Sequence, residues 1–256
     1  MVDRLFADPA LASWYDALCP TDERADFGFY LPRIRSARSV LDVGCGTGSL
    51  LRLAREAGHR GRLCGLDPGA GMLEQARRRP ELDIEWILGD LESTSWEREF
   101  DFVVMTGHAF QVLLGDDELR AALAAVRAAL RDGGRFGFET RNPLAREWES
   151  WTTVTPVDVP AAGSDVAPGA AAAMRMTRQV RSVDGEIVSF RTGLTLPGEP
   201  APRHSDSTLR FLGSDRLDAF LIEAGLVVEE RYGDWDRGPV TDASPEIITI
   251  ARRTPA

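Results

Sequence analysis

Lysine is absent from this chain of 256 residues, so all 30 of its basic side chains are arginine. That removes every reaction needing a lysine amine, including Schiff-base chemistry and the lysine of phosphate-binding loops. Cysteine is scarce too. Cys19, Cys45 and Cys64 are odd in number and lack paired spacing, which fits neither a disulfide framework nor a zinc cage, and no metal site is expected. No apolar run approaches the ~20 residues that cross a bilayer. An acid interrupts the short apolar stretch at the N-terminus, so the expectation is a cytoplasmic chain with no membrane contact and no secretory leader. The formal charge is −10. Basic residues are scattered except for Arg77-Arg78-Arg79, which reads as a helix end complementing its dipole. A chain that lives on phosphate contacts shows a basic face, so nucleic acid is disfavoured as a partner.

What is present is a rhythm. Ser39 to Gly44 is a short apolar run ending in glycine, as a buried parallel strand does. Helical spacing follows from Thr47 to Ala57, then a strand from Arg62 to Asp67 and a helix from Gly71 to Arg79 closed by Pro80. Strands are expected at Ile84 to Gly89, Phe100 to Thr106 and Arg135 to Thr140. The clearest helix spans Asp117 to Arg131, capped by Asp116 or Asp117 and ended by Gly133-Gly134. Before all this, Asp8 to Ala37 reads as two helices broken near Pro20. The alternation argues for a parallel sheet covered on both faces.

The rhythm breaks between about Trp151 and Arg210, where prolines punctuate the chain. Met174 to Val183 and Ile187 to Leu196 flank the turn dipeptide Asp184-Gly185, which predicts an antiparallel hairpin laid over the sheet; an unordered loop is the other reading. A helix from Asp215 to Gly225 then precedes strands at Leu226 to Tyr232 and Glu246 to Arg252. The loop between them has no room for a crossover helix, so these two strands are expected to be antiparallel.

Chemistry concentrates at strand ends. Val40-Leu41-Asp42-Val43-Gly44-Cys45-Gly46-Thr47-Gly48 runs from a buried strand through glycines into a helix, a turn that lets a ligand approach the backbone. Asp67 ends the next strand near the ~20-residue spacing at which such folds place an acid for ribose hydroxyls. Gly89-Asp90-Leu91 ends the third strand, where the acid and the next amide suit adenine, with Met72 and Leu91 placed to sandwich it. Thr106-Gly107-His108 ends the fourth. All four ends lie on one rim.

The run Val40 to Leu51 resembles the first motif of class I S-adenosylmethionine-dependent methyltransferases. Gly65-Leu66-Asp67-Pro68 with Met72-Leu73 resembles their second, Gly89-Asp90-Leu91 their third and Phe100 to Val104 their fourth. Leu130 to Phe136 resembles their entry to the fifth strand. The similarity spans roughly Ser39 to Asn142 and resumes in the last strand pair. It implies an α/β, Rossmann-like, mostly parallel seven-stranded sheet with an antiparallel last strand, and an antiparallel β insertion after strand 5. The divisions expected are a helical lid (1–38), a cofactor-binding core (39–150), a substrate cap (151–210) and a C-terminal part completing the sheet (211–256). S-adenosylmethionine is the implied cofactor and S-adenosylhomocysteine its product. The resemblance implies that Gly44, Cys45 and Gly46 line the methionine part, with Asp42 orienting it through the loop. It implies further that Asp67 and Pro68 meet the ribose, that Met72, Asp90 and Leu91 meet adenine, and that the Thr106 carbonyl accepts from the amino group. Trp14-Tyr15-Asp16 resembles the lid of small-molecule members, which makes Tyr15 the lid candidate and Tyr30 a weaker one.

His108 is the candidate base, because it follows the fourth strand on this rim and an imidazole suits proton transfer near neutrality. Binding substrate or filling space are its other readings. Candidate acceptor contacts are Tyr30, Phe110, Gln111, Arg141, Trp148 and His204. Thr106-Gly107-His108-Ala109 lacks the Asp/Asn-Pro-Pro-Tyr of many enzymes that methylate base amino groups, and no acid pair suits a catechol-type metal site. A small-molecule acceptor is therefore expected, within a chain that could form a homodimer. Two other functions share the glycine turn. A nicotinamide-dependent oxidoreductase would place its third glycine where Ser49 stands. A non-catalytic nucleotide-binding module would lack an enclosed chamber beside the methyl position.

Overall fold

Side chains of the apolar run from Val40 alternate between two faces, and both faces are buried, so the strand needs cover on each side. The computed structural model describes residues 3–151, 154–159 and 172–254. Its helices are α1 (Arg4–Ala7), α2 (Pro9–Ala12), α3 (Tyr15–Leu18), α4 (Ala25–Ser36), α5 (Ser49–Glu56), α6 (Ala70–Ala76), α7 (Asp116–Ala129) and α8 (Ser214–Glu223). Its first five strands are β1 (Ser39–Val43), β2 (Arg62–Asp67), β3 (Glu85–Leu88), β4 (Phe100–Met105) and β5 (Leu130–Arg141). There follow β6 (Val154–Val159), β7 (Ala172–Asp184), β8 (Ile187–Thr195), β9 (Arg203–Arg210), β10 (Leu226–Tyr232) and β11 (Glu246–Arg253).

Seven strands form one sheet in the order β10-β11-β5-β4-β1-β2-β3. The first five run parallel, while β11 pairs antiparallel with both β5 and β10. Val40, Phe102 and Val104 face α4 and α5, meeting Tyr30, Ile34, Leu50 and Leu51. Leu41, Val103 and Met105 face the other way, into a layer shared with Leu123 and Val126 of α7 and with Leu217 and Leu221 of α8. Burying each such side chain stabilises the fold by about 1.5–3 kcal/mol. The strand order reverses between β1 and β4, and a crevice opens there at the strands' carboxyl ends.

The second sheet, β6-β7-β8-β9, is antiparallel throughout. Several contacts fasten it over the crevice. Met174, Leu194 and Leu196 close on Leu11 of α2. On the other side, the largely buried Arg210 binds Asp116 at 2.6 Å and Glu186 at 3.0 Å, and donates to the Leu114 carbonyl.

Several elements differ from the sequence-based expectation. The N-terminal helices are three single turns and then α4, because Pro9 starts α2 and Pro20 separates α3 from α4. The N-cap of α7 is Gly115, and the Glu118 carboxylate folds back to accept from the Leu114 and Gly115 amides; Asp116 is drawn away to Arg210. The same helix stops at Ala129, before the glycine pair, because Leu130 pairs with Phe100 and the chain bulges out through Gly133 before Arg135 pairs with Phe102. The helix expected over 71–79 ends at Ala76. The tip of the β7–β8 hairpin is Gly185-Glu186, one residue later than expected, with Asp184 paired to Ile187 and Gly185 at positive φ. Part of the segment between Trp151 and Met174 lies outside the described residues.

Candidate active site

The carboxyl ends of β1, β2, β4 and β5 open into one cavity of about 710 Å³, lined also by α3 and by β7, β8 and β9. That volume lies in the range of roughly 300–1,000 Å³ common to small-ligand sites. At its floor the β1 turn folds back, and the Gly44 and Cys45 amides donate to the Leu66 carbonyl at 2.8 and 3.1 Å. Gly44 and Gly46 both have positive φ; a Cβ on Gly44 would press on Ala109 at 2.8 Å, whereas one on Gly46 would meet open space. The first glycine therefore permits a close approach, and the second leaves backbone exposed to whatever enters.

Asp67 anchors this turn. Its Oδ2 accepts from the Gly46 amide at 2.8 Å and its Oδ1 from the Gly69 amide at 2.7 Å. Burial raises its pKa and the two amides oppose that shift. Each oxygen keeps a lone pair for a further donor. Asp42 is buried with Oδ1 unpartnered, and burial with the neighbouring Asp67 pushes its pKa up to about 8. Asp90 accepts from the Ser93 amide and is exposed, and buried Leu91 and exposed Pro68 line the same cavity. Met72 and Cys45 are buried on the same wall. The Thr106 carbonyl accepts a long bond from the Ala109 amide at 3.3 Å. Tyr15 closes the top, edge-on to Phe6 at 6.0 Å, with its hydroxyl pKa raised by burial. All the residues expected at the cofactor thus line one cavity.

The N-terminal segment is tied at both ends. Asp16 of α3 accepts from the Thr47 and Ser49 hydroxyls and pairs with Arg52 at 3.0 Å, which fastens α3 to the glycine turn. Asp3 accepts from Ser207 and the Leu5 amide donates to Ser205, which fastens the N-terminus to β9.

Beyond the rim, toward β5 and β11, the cavity changes character. His108 stands at positive φ after β4, its Nε2 lies 2.9 and 3.0 Å from the two Glu246 oxygens, and its amide donates to Glu139 at 3.1 Å. Burial, with the positive Arg141 nearby, holds the imidazole well below its ordinary pKa. Burial pushes Glu246 up to about 8, against the pull of Arg141, and likewise pushes Glu139 up to about 8. The histidine is therefore neutral at pH 7, and Glu246 takes up or releases a proton near pH 8. Tyr30 donates to Glu139 at 2.9 Å from behind. Arg24 and Asp26 neutralise each other through two hydrogen bonds, and Arg141 pairs with Glu147 at 2.8 Å.

Of the expected acceptor contacts, only Arg141 lines the cavity. Tyr30 is fully buried behind Glu139. Phe110 stacks on Phe138 at 4.2 Å within the core. Gln111 is buried, accepting from Arg141 and donating to the Arg210 carbonyl, so it supports rather than lines. Trp148 packs edge-on to Phe211 at 4.7 Å. His204 points away, because strand alternation turns Ser207 and Leu209 of β9 to the cavity and leaves His204 exposed. Sequence reasoning missed Asp16, Arg24, Asp26, Glu139, Arg178 and Glu246. Glu139 carried a local signal, an acid directly after the apolar run Phe136-Gly137-Phe138, and Asp16 stands in the segment Trp14-Tyr15-Asp16 that named Tyr15.

Comparison with known proteins places these features in a wider group. A methyltransferase-domain family model matches residues 40–134. The cypemycin N-terminal methyltransferase of a Streptomyces species is 28% identical over 219 residues, covering 84% of this chain and 83% of that protein. The malonyl-[acyl-carrier protein] O-methyltransferase of Anoxybacillus flavithermus is 26% identical over 130 residues, covering 50% of this chain and 49% of that protein. Among solved structures, the CcbJ methyltransferase from Streptomyces caelestis shares the fold at a TM-score of 0.75, with 22% identity over 96% of both chains. The S-adenosylmethionine-bound amino pentose methyltransferase CalS10 from Micromonospora echinaspora shares it at 0.66, with 23% identity over 96% of this chain and 97% of its own.

Proposed function

The chain belongs to the class I, Rossmann-like S-adenosylmethionine-dependent methyltransferases, and from that premise we propose that it methylates an amine of a small molecule. The observation that carries the amine is the His108–Glu246 pair, enclosed beside Glu139 at the inner end of the cofactor cavity. Once ionised, Glu246 attracts an ammonium and the pair takes its proton; a neutral hydroxyl offers no charge for that attraction. Two names bear on the same point, since one similar protein is an N-terminal methyltransferase and one fold neighbour an amino pentose methyltransferase.

The cavity residues fit the cofactor. Asp67 has a lone pair on each oxygen for the paired ribose hydroxyls, Met72 and Leu91 offer apolar walls for adenine, and Asp90 has one oxygen free for its amino group. The open backbone at Gly46 and the unpartnered Asp42 oxygen suit the methionine part. When bound, S-adenosylmethionine supplies a methyl group on a sulfonium, a good leaving group for in-line displacement. Positioning is then the main task of the protein and can contribute about 7–11 kcal/mol.

The chain's own groups prepare the acceptor. Glu246, deprotonated above pH 8, accepts from His108 Nε2, and the pair takes the proton that an ammonium must shed before its nitrogen lone pair is free. Glu139 holds the His108 amide and thereby the turn that aims the ring. Tyr15 and α3 exclude water from above.

The test is a transfer assay with S-adenosylmethionine on matched pairs of small acceptors, each pair differing only in amine against hydroxyl. Methylation of the amine members alone is expected. Methylation of the hydroxyl members at equal or greater rate would discard the amine reading and leave family membership untouched.

A further inference from the structure

Cations and carboxylates in the inner cavity do not balance. Arg24 is matched by Asp26 and Arg141 by Glu147. Arg178 of β7, which also lines the cavity, is matched by nothing: among the described residues no hydrogen bond or ion pair reaches it, and its Nε is buried without a partner. Its guanidinium rests on two aromatic faces, 4.9 Å from the ring centre of Trp151 and 5.2 Å from that of Phe190. Arg141 lies over the same indole, at 5.3 Å. Trp151 and Phe190 are themselves buried, so this is a built platform and not a side chain lying on the surface.

Two guanidinium groups therefore share one indole with a single carboxylate, Glu147, which also accepts from the Trp151 indole N–H at 3.2 Å. Aromatic faces stabilise a cation only in part. Desolvation and the nearby Arg141 together pull the Arg178 pKa below the ordinary arginine value, but a guanidinium stays charged at neutral pH. A desolvated, uncompensated positive charge beside a binding cavity selects a negative group, and a planar fork of N–H donors favours a carboxylate or a phosphate.

We infer that Arg178, backed by Trp151, Phe190 and Arg141, anchors an anionic group of the acceptor, a carboxylate or phosphate carried by the same molecule whose amine meets His108 and Glu246. The inference rests on the amine-methyltransferase reading and adds to it a second recognition point of opposite sign. Arg141 couples the two ends, since its charge acts on His108, Glu246 and Arg178 alike. The acceptor class is then an amine that also bears an acid.

The experiment uses the full chain saturated with S-adenosylhomocysteine, titrated separately with pyrophosphate and with succinate at constant ionic strength. Calorimetry and tryptophan emission are the readouts, with Trp151→Phe to assign the optical signal. Saturable binding of at least one anion is expected, and the class that binds names the acid of the acceptor. Arg178→Gln should weaken it tenfold or more, and Arg178→Lys, which keeps the charge but loses the fork, threefold or more. S-adenosylhomocysteine affinity should stay within twofold in both variants. No saturable anion binding, or unchanged binding in the lysine variant, overturns the inference even if the glutamine variant does not fold. Loss of S-adenosylhomocysteine affinity in either variant overturns it too, by assigning Arg178 to the cofactor. If the wild type itself fails to bind S-adenosylhomocysteine, the fault lies with the methyltransferase reading.

Discussion

The two ends of the cavity are built in different ways. At the outer end, the groups around the glycine turn follow one another along the chain: the Asp67 oxygens reach amides 21 and 2 residues away, and Asp90 bonds Ser93 three residues on. At the inner end the contacts around His108 and Glu139 are not local. His108 meets Glu246 across 138 residues and Tyr30 meets Glu139 across 109. The outer end is a property of successive strand–turn–helix units, which any parallel sheet of this order assembles at one rim. The inner end exists only because β11 returns antiparallel beside β5 and brings Glu246 opposite Arg141. On the function proposed above, the difference would separate a shared task, gripping one cofactor, from a particular one, choosing an acceptor.

The largest effect that tests this division belongs to the outer end. Asp67→Ala deletes both oxygens proposed to accept from the ribose hydroxyls and frees the Gly46 and Gly69 amides. Two charge-assisted hydrogen bonds at about 1.5–3 kcal/mol each imply a loss of at least ~3 kcal/mol, or roughly a hundredfold in affinity. Calorimetry with S-adenosylhomocysteine measures it. A loss under threefold would mean the ribose lies elsewhere, and that the two ends are not divided as described.

The legibility of the sequence follows the same division. The places of Asp42, Gly44, Asp67, Asp90 and Thr106 on one cavity could be read because each sits at a fixed offset from a strand whose apolar run announces it. The mostly parallel sheet with its reversed last strand was legible for the same reason. Glu246 was not, since pairing partners are set by three-dimensional register and the residue itself opens an ordinary strand. Phe110 and Trp148 were misplaced because an aromatic near a strand end fits core or cavity equally well until the neighbouring layer is known; Phe138 and Phe211 decide it. Arg178 had no sequence signal at all. Its meaning lies in a missing partner, and only coordinates show that.

At the inner end the expected effect is on turnover and on its pH dependence. Glu246 is held at about pKa 8, well above its ordinary 4.5. Because the folded value is raised, the carboxylate that receives a proton is scarce at pH 6 and abundant at pH 9. The wild-type kcat/KM should therefore climb through a midpoint near 8. Glu139, also near 8, titrates in the same window, so the glutamine variant of Glu246 is needed to assign the limb. Glu246→Gln and His108→Gln should each lower kcat/KM about a hundredfold at pH 8.5, the lower end of what a positioned base supplies. Both should leave S-adenosylhomocysteine affinity within twofold. A pH limb that survives unchanged in Glu246→Gln would move proton acceptance to another group, and equal losses of cofactor affinity would erase the distinction between the ends.

The smallest effect lies where the two ends are joined. Asp16 holds α3 down on the glycine turn through Thr47, Ser49 and Arg52, but its side chain is 45% exposed, so each bond competes with water. Asp16→Ala should consequently alter the fold little, shifting the melting temperature by about 1–3 °C. The N-terminal segment has a second tie, Asp3 to Ser207, which persists in the variant. What should change is how often α3 lifts from the glycine turn. Release of S-adenosylhomocysteine, followed by stopped-flow fluorescence, should quicken about three- to tenfold, as expected for losing ~1 kcal/mol of hydrogen bonding that only the closed state makes. Association should change less, because the open state is already competent to bind. An unchanged release rate would show that α3 is a fixed wall of the cavity, and that the cofactor enters past the cap sheet instead.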